Sequence, residues 1–493
     1  MKPKIYPDIA ALKEIAATGK YNVAPVAMEI LSDFTTPIEV IRILKNISKH
    51  CYMLESAQAS EHWGRYTFLG YDPKLAISCV DGKIEAGEFI SLETDDPSEY
   101  LRSVLEKYKS PKLPDMPPFT GGLVGYFSFD YLSYYEPTTK NKSYDEEGFK
   151  DLDLMLFDKV IAFDSLKQKI ILITNIRFDD IETQYNHAVV ELKNLEKLLK
   201  TGEKKIDCSG RITGEPSYLF SEEEYCEMIE KAKEYIREGD IFQIVLSNRI
   251  SAPYEGSLLD TYRVLRTINP SPYMFYFSGT DMEVAGASPE TLVKLEDGIL
   301  HTFPLAGSRP RGKTIEEDEA LVEELLQDEK ELAEHNMLVD LARNDLGRIS
   351  DFGTVEVERL RDVLKFSHIM HIGSTVRGKI SDDKDALSAI EAVLPAGTLS
   401  GAPKIRACQL IAELEKNKRG IYGGAIGYID FTGNMDTCIA IRIAYKKNNK
   451  VFVRSGAGIV YDSVPETEYQ ESKNKAQAVL DAIRYAEKEM GEQ

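Results

Sequence analysis

Two pairs of glutamates three residues apart could hold a metal ion: Glu331 and Glu334 in Glu331-Leu332-Ala333-Glu334, and Glu468 and Glu471 in Glu468-Tyr469-Gln470-Glu471. That spacing puts both carboxylates of a pair on one helical face. Two such faces brought together make a hard-oxygen site suited to Mg²⁺, able to join protein carboxylates to an anionic substrate. A solvated helix face accounts for either pair alone. Glu290, after Ser288-Pro289, sits at the expected tip of a strand, where a carboxyl can act as general acid or simply face water. His371, in Ile369-Met370-His371-Ile372, is a core histidine or an acid–base group. Arg442 interrupts an apolar run over 437–443, and a guanidinium there needs a carboxylate partner, from the protein or from a ligand.

Two glycine-containing segments could approach an anion. Gly397-Thr398-Leu399-Ser400-Gly401-Ala402-Pro403-Lys404 joins small residues to a proline suited to the first turn of a helix, whose free N–H groups attract negative charge. It lacks P-loop spacing, and an ordinary strand-to-helix turn fits equally. Gly456-Ala457-Gly458 allows close backbone approach to a ligand, or marks a bulge.

The elements that must position these residues follow from periodicity. A helix is expected over 36–49, with Ile38, Val40, Ile41, Leu44 and Ile47 on one stripe. Strands over 153–163 and 168–175 form a hairpin about Asp164-Ser165-Leu166-Lys167. A helix over 185–199 precedes a polar stretch with Gly and Pro, through residue 216, read as a boundary. Ser221 and Glu224 form a capping box for a helix over 221–238. Strands are expected over 241–247, 273–277, 283–287, 300–303, 422–431, 437–445 and 451–459, and helices over 315–342 and 403–416. Strands in hairpin-like runs, not βαβ alternation, predict an α+β fold with largely antiparallel sheets.

Composition narrows the function. The 493 residues carry 60 Lys+Arg against 81 Asp+Glu, a net charge of −21 that argues against nucleic-acid binding. An anionic substrate would therefore need local neutralisation by basic side chains or a metal. Length alone suggests about three domains or one large α/β unit. No secretory segment and no apolar run of about 20 residues is visible, so neither export nor membrane insertion is expected. The six cysteines show no Cys-x-x-Cys pairing and read as reduced thiols of a cytoplasmic enzyme.

Taken in order, Ala287-Ser288-Pro289-Glu290, residues 328–347, Met370-His371, residues 397–404, Arg442, and Ser455-Gly456-Ala457-Gly458 through Lys475 resemble the chorismate-utilising enzymes. Within that family the chain is similar to the anthranilate synthase component I branch. The resemblance implies a regulatory region over 20–176 and a chorismate-binding catalytic region over 216–490. It implies a large, mostly antiparallel β-sandwich core with surrounding helices. By the same resemblance Glu334 and Glu471 bind Mg²⁺, supported by Glu331 and Glu468. Gly307, Ser308, Thr398, Tyr422, Arg442, Gly456, Ala457, Gly458 and Lys475 line the substrate, with Arg442 on the enolpyruvyl carboxylate. Glu290 protonates the departing C4 hydroxyl while ammonia attacks C2, and His371 serves the loss of pyruvate.

Two positions separate the relatives. Isochorismate and salicylate synthases have a lysine base where this chain has Gln243. Aminodeoxychorismate synthases carry a nucleophilic lysine in Pro-Ile-Lys-Gly-Thr, matched here by Pro304-Leu305-Ala306-Gly307-Ser308. Gln243 and Ala306 together leave direct addition of ammonia, with aminodeoxychorismate synthase component I as the alternative. Met53-Leu54-Glu55-Ser56 and Asn269-Pro270-Ser271-Pro272-Tyr273-Met274 resemble the family's tryptophan-inhibition site, which implies feedback inhibition through Ser56, Pro272, Tyr273 and Met274, with Cys438 contributing. The single Trp63 suits a protein made when tryptophan is scarce. No Gly-x-Cys-x-Gly nucleophile setting is present, so a separate glutamine amidotransferase subunit, component II, is expected to supply ammonia, in a heterotetramer of two copies each.

Overall fold

The computed structural model describes residues 4–56, 64–140, 144–205, 208–365 and 369–490; Trp63 lies outside them. Two extended sheets, antiparallel wherever their strands pair, face each other. The first runs from Lys4–Tyr6 at one edge, through Cys51–Glu55, Tyr273–Ser278, Met282–Ser288, Ile443–Lys447 and Lys450–Ile459, to Gln243–Glu255. The second runs from Leu305–Pro310 and Ile369–Lys379, through Thr291–Glu296, Met435–Ile439 and Ala425–Asp430, to Gly122–Phe127 and beyond. Each sheet joins strands from before and after residues 200–216: Cys51–Glu55 pairs with Tyr273–Ser278, and Gly122–Phe127 with Ala425–Asp430.

Side-chain alternation sets the layers. Tyr52 packs with Phe157, Phe275, Tyr428 and Phe452 between the sheets. Its neighbours Cys51 and Met53 face the other way, into a core shared with helices through Ile41, Leu192, Leu265 and Val479. The outer face of the second sheet packs on Leu101, Val339, Leu346 and Ile390 of further helices. The order is thus helices, sheet, sheet, helices, as a mostly antiparallel α+β sandwich requires.

Several expected elements are divided differently. The run over 153–163 is two strands, Leu152–Phe157 in the second sheet and Lys159–Asp164 in the first. Both are buried on both faces, so the apolar pattern continues while the chain changes sheets. The run over 437–445 likewise splits into Met435–Ile439 in the second sheet and Ile443–Lys447 in the first. The helix expected over 315–342 is two, Ile315–Gln327 and Glu329–Gly347, broken at Asp328. Pro403 caps the Lys404–Glu415 helix from outside its first turn. The hairpin of Lys159–Asp164 with Lys169–Arg177 and the Ser221–Glu224 capping box are as expected.

Candidate active site

The site lies where two neighbouring strands change sheets side by side. Met282–Ser288 pairs with Ile443–Lys447 in the first sheet, and Thr291–Glu296 with Met435–Ile439 in the second. The crossovers are Pro289-Glu290 on one strand and Ala440-Ile441-Arg442 on the other. They remain bonded, with Ile439 N–H donating to Glu290 O at 3.0 Å and Ala287 N–H to Arg442 O at 3.2 Å. Arg442 adopts φ 52°, a left-handed conformation that is uncommon for a side-chain-bearing residue. The apolar run around Arg442 is thus a break between two strands and not one continuous strand.

Glu290 accepts a hydrogen bond from Thr398 Oγ1 at 3.0 Å. Burial pushes its carboxyl up to about 7, against the opposing pull of Thr398, Arg442 and Lys475. An acid so placed can give a proton near neutrality. Burial lowers the Arg442 guanidinium while Glu290 raises it. Among the described residues its hydrogen bond is to Asn269 Oδ1, at 3.4 Å. The carboxylate partner demanded by its burial is therefore open to a ligand.

His371 belongs to Ile369–Lys379, and its Nδ1 lies 3.1 Å from Gly307 O. A carbonyl only accepts, so the proton sits on Nδ1 and the lone pair on Nε2. Burial lowers its pKa, keeping the ring neutral. Gly307 is the extra residue of a bulge: Ala306 pairs with Ile372 and Ser308 with His371. Its φ of 69° needs glycine, and the bulge turns its carbonyl to the histidine.

Gln243, Gly456, Ala457 and Gly458 form a second wall. Val245 pairs with Gly458, Leu246 with Ala457 and Ser247 with Gly456, without a bulge. A Cβ on Gly456 would meet Leu246 O at 2.3 Å, and one on Gly458 would meet Gln243 Nε2 at 2.8 Å. Gly456 is thus needed for close strand packing, whereas a side chain at Gly458 would displace the end of Gln243. Lys475, from Pro465–Met490, donates to Gly456 O at 3.3 Å and pairs with Glu471 at 2.7 Å. Tyr422 is buried, its ring 6.0 Å from the Arg419 guanidinium.

The carboxylate pairs come from two helices. Asp328 caps Glu329–Gly347 by accepting from Lys330 N at 3.1 Å and Glu331 N at 3.2 Å, which puts Glu331 and Glu334 in its opening turns. Arg309 reaches Asp328 at 2.9 Å and Glu331 at 3.6 Å. The Glu334 carboxyl is raised chiefly by burial, then by Glu331, and Glu471 adds to it across the gap between helices. Glu468 is raised by burial and by Glu471, against Ser463 and Lys475. Carboxylates that repel one another suit a divalent cation with oxygen ligands. Among the described residues, no three candidate ligands stand close enough to cage an ion as they are.

A cavity of about 860 Å³ lies apart from these groups, lined by Leu54, Glu55, Ser56, Pro272, Tyr273, Met274 and Cys438 among others. Met53 points into the opposite core. Tyr273 OH bonds Asp436 at 2.8 Å and Thr291 at 3.0 Å, and Thr291 follows Glu290 in the chain. Sequence reasoning passed over Asn269 as the neighbour of Arg442, and also the buried Arg454; the latter carries the same signal as Arg442, an arginine inside an apolar strand.

The chorismate binding enzyme family matches residues 49–481. Anthranilate synthase component 1 of Acetivibrio thermocellus is 44% identical over 98% of this chain and 99% of its own length. The protein of the same name from Aquifex aeolicus is also 44% identical, over 98% and 99%. The crystal structure of anthranilate synthase component I from Streptococcus pneumoniae superposes with a TM-score of 0.77 at 36% identity, covering 91% of this chain and 98% of that one. The menaquinone-specific isochorismate synthase from Escherichia coli shares the fold, with a TM-score of 0.70 at 19% identity over 96% and 99%.

Proposed function

The chain belongs to the chorismate binding enzyme family, and on that premise we propose that it converts chorismate and ammonia into anthranilate, pyruvate and water. The observation that carries this reading is the Glu290–Thr398 pair beside Arg442, combined with Gln243 and Ala306 at the positions where a lysine would direct other chemistry. Arg442 takes the enolpyruvyl carboxylate, and the glycine wall sets the ring against Glu290. Ammonia forms a bond to C2 as the C4 hydroxyl leaves, taking the Glu290 proton to become water; the new ammonium loses a proton to solvent. In the second step the lone pair of His371 Nε2 takes the C2 proton. The ring becomes aromatic as the C3–O bond breaks, and the enolpyruvate released is protonated to pyruvate.

Glu334 and Glu471 would hold Mg²⁺, with Glu331 and Glu468 behind them, and the ion would neutralise the ring carboxylate. The mutual repulsion of these carboxylates supports that assignment. The cavity bordered by Ser56, Pro272, Tyr273 and Met274 supports feedback inhibition by tryptophan, and the bond from Tyr273 to Thr291 offers a short route to Glu290. Ammonia would come from a glutamine amidotransferase partner, in a heterotetramer of two copies of each. Six unpaired cysteines suit the cytoplasm, and among the described residues no helix is long and apolar enough to cross a membrane.

The test is to incubate the purified chain with chorismate, Mg²⁺ and ammonium and follow anthranilate fluorescence. Accumulation of a nonaromatic amino product instead would assign the chain to aminodeoxychorismate synthesis. Glu334→Gln should raise the Mg²⁺ concentration for half-maximal rate by about tenfold or more; an unchanged titration would reject the metal assignment.

A further inference from the structure

Behind the glycine wall lies an ion cluster closed off from solvent. Glu415, Arg419 and Arg454 are 2%, 1% and 1% exposed. Glu415 Oε2 accepts from Arg419 Nε at 2.9 Å and Arg454 Nη2 at 2.6 Å. Its Oε1 accepts from Arg419 Nη2 at 2.5 Å and from the Ser247 amide at 2.8 Å. One carboxylate serves two guanidiniums. A buried cluster of this kind gives little net stability over apolar packing, so its presence calls for another explanation.

What the cluster grips supplies one. Arg419 Nη1 donates to Leu399 O at 2.7 Å, one residue after Thr398, and Nη2 donates to Val245 O at 2.7 Å, the strand partner of Gly458. Arg454 Nε donates to Ser247 Oγ at 2.8 Å, the partner of Gly456, and its Nη1 to Asn417 Oδ1 at 2.7 Å. The Arg419 guanidinium also stacks 4.4 Å over Phe129 and lies 6.0 Å from the Tyr422 ring. The planar, multiply bonded guanidinium fixes direction as well as distance, which an ammonium cannot do.

We propose that Arg419, held by the Glu415 carboxylate that Arg454 shares, is a positioning residue for the reaction: it clamps the Leu399 carbonyl so that Thr398 stays on Glu290, and ties that turn to the wall of residues 456–458. The inference rests on the proposed function only in the roles of Thr398 and Glu290. Turnover is therefore read as loss of chorismate, which counts any product, while anthranilate fluorescence reports separately on the proposed reaction.

The experiment is a double-mutant cycle in the full chain with Arg419→Lys, Thr398→Ala and both together, assayed with Mg²⁺ and ammonium well below each variant's melting temperature. Arg419→Lys is expected to lower kcat by about tenfold or more, with KM changed far less, because it displaces a group that acts on the bound substrate. The double variant should be no slower than Thr398→Ala alone, since both changes remove the same contact. Losses that multiply, or a kcat for Arg419→Lys within about twofold of the parent, would overturn the proposal. If Arg419→Lys does not fold, Arg419→Gln, which leaves Glu415 paired with Arg454, takes its place in the same cycle with the same criteria.

Discussion

In the proposed reaction Glu290 does two jobs that ordinarily conflict: it must hold a proton near neutral pH and still be able to release it to a leaving group. Burial achieves the first by disfavouring the carboxylate, and Thr398, Arg442 and Lys475 keep the second within reach. Glu290→Gln should lower amination by roughly 10²- to 10⁴-fold. In the parent, kcat/KM for chorismate, divided by the concentration of free ammonia, should fall as pH rises through about 7, where Glu290 loses its proton. The stability effect has a definite sign. The folded carboxyl is raised above its ordinary 4.5, so below that pH both states are protonated and nothing is lost, whereas ionisation costs stability increasingly up to about 7 and fully above it. Glu290→Gln should accordingly melt higher than the parent at pH 8 and alongside it at pH 4; thermal melts at the two pH values check this. Arg442 was legible in the sequence because a charge in an apolar run is conspicuous. Its escape from that run was not, since it depends on a left-handed turn that the residue type does not announce.

At the scale of elements, Asp328 decides more than its acidity suggests. The apolar stripe continues through 315–342, so periodicity alone reads one helix; Asp328 instead ends one and caps the next by binding two amides and Arg309. That break sets the direction in which Glu331 and Glu334 leave the second helix. Asp328→Ala should lower stability through loss of the cap and weaken the proposed Mg²⁺ binding while leaving Glu331 and Glu334 unchanged; denaturant unfolding and a Mg²⁺ titration of the rate would show both. A variant that loses stability but keeps the parent titration would mean the cap does not orient the pair. The Ala306–Ser308 bulge works similarly at shorter range, because the extra residue is what gives His371 its carbonyl partner.

At the scale of the whole molecule, both sheets run through the N-terminal and C-terminal halves, so the cavity around Ser56 borrows walls from each. A ligand that binds there only in the folded state must stabilise the fold. Tryptophan should therefore raise the melting temperature and slow chorismate turnover together. Ser56→Leu should abolish both responses while leaving basal turnover near that of the parent. A tryptophan-induced stability gain without inhibition would make the cavity a binding site uncoupled from Glu290. The types of group available, the antiparallel α+β class, the Ser221–Glu224 capping box and the ordered motifs of the family were legible from the residues alone, because these depend on local spacing and residue chemistry. Long-range packing settles that residues 153–163 and 437–445 each divide between two sheets, that Glu290 and Arg442 meet at adjacent crossovers, and that Glu415, Arg419 and Arg454 share one buried cluster. The physical reason is the same in each case. A strand covered on both faces is apolar throughout, so its pattern carries no mark of the sheet it joins, and a buried charge reveals its need for a partner but not which distant residue the packed layers will bring to it.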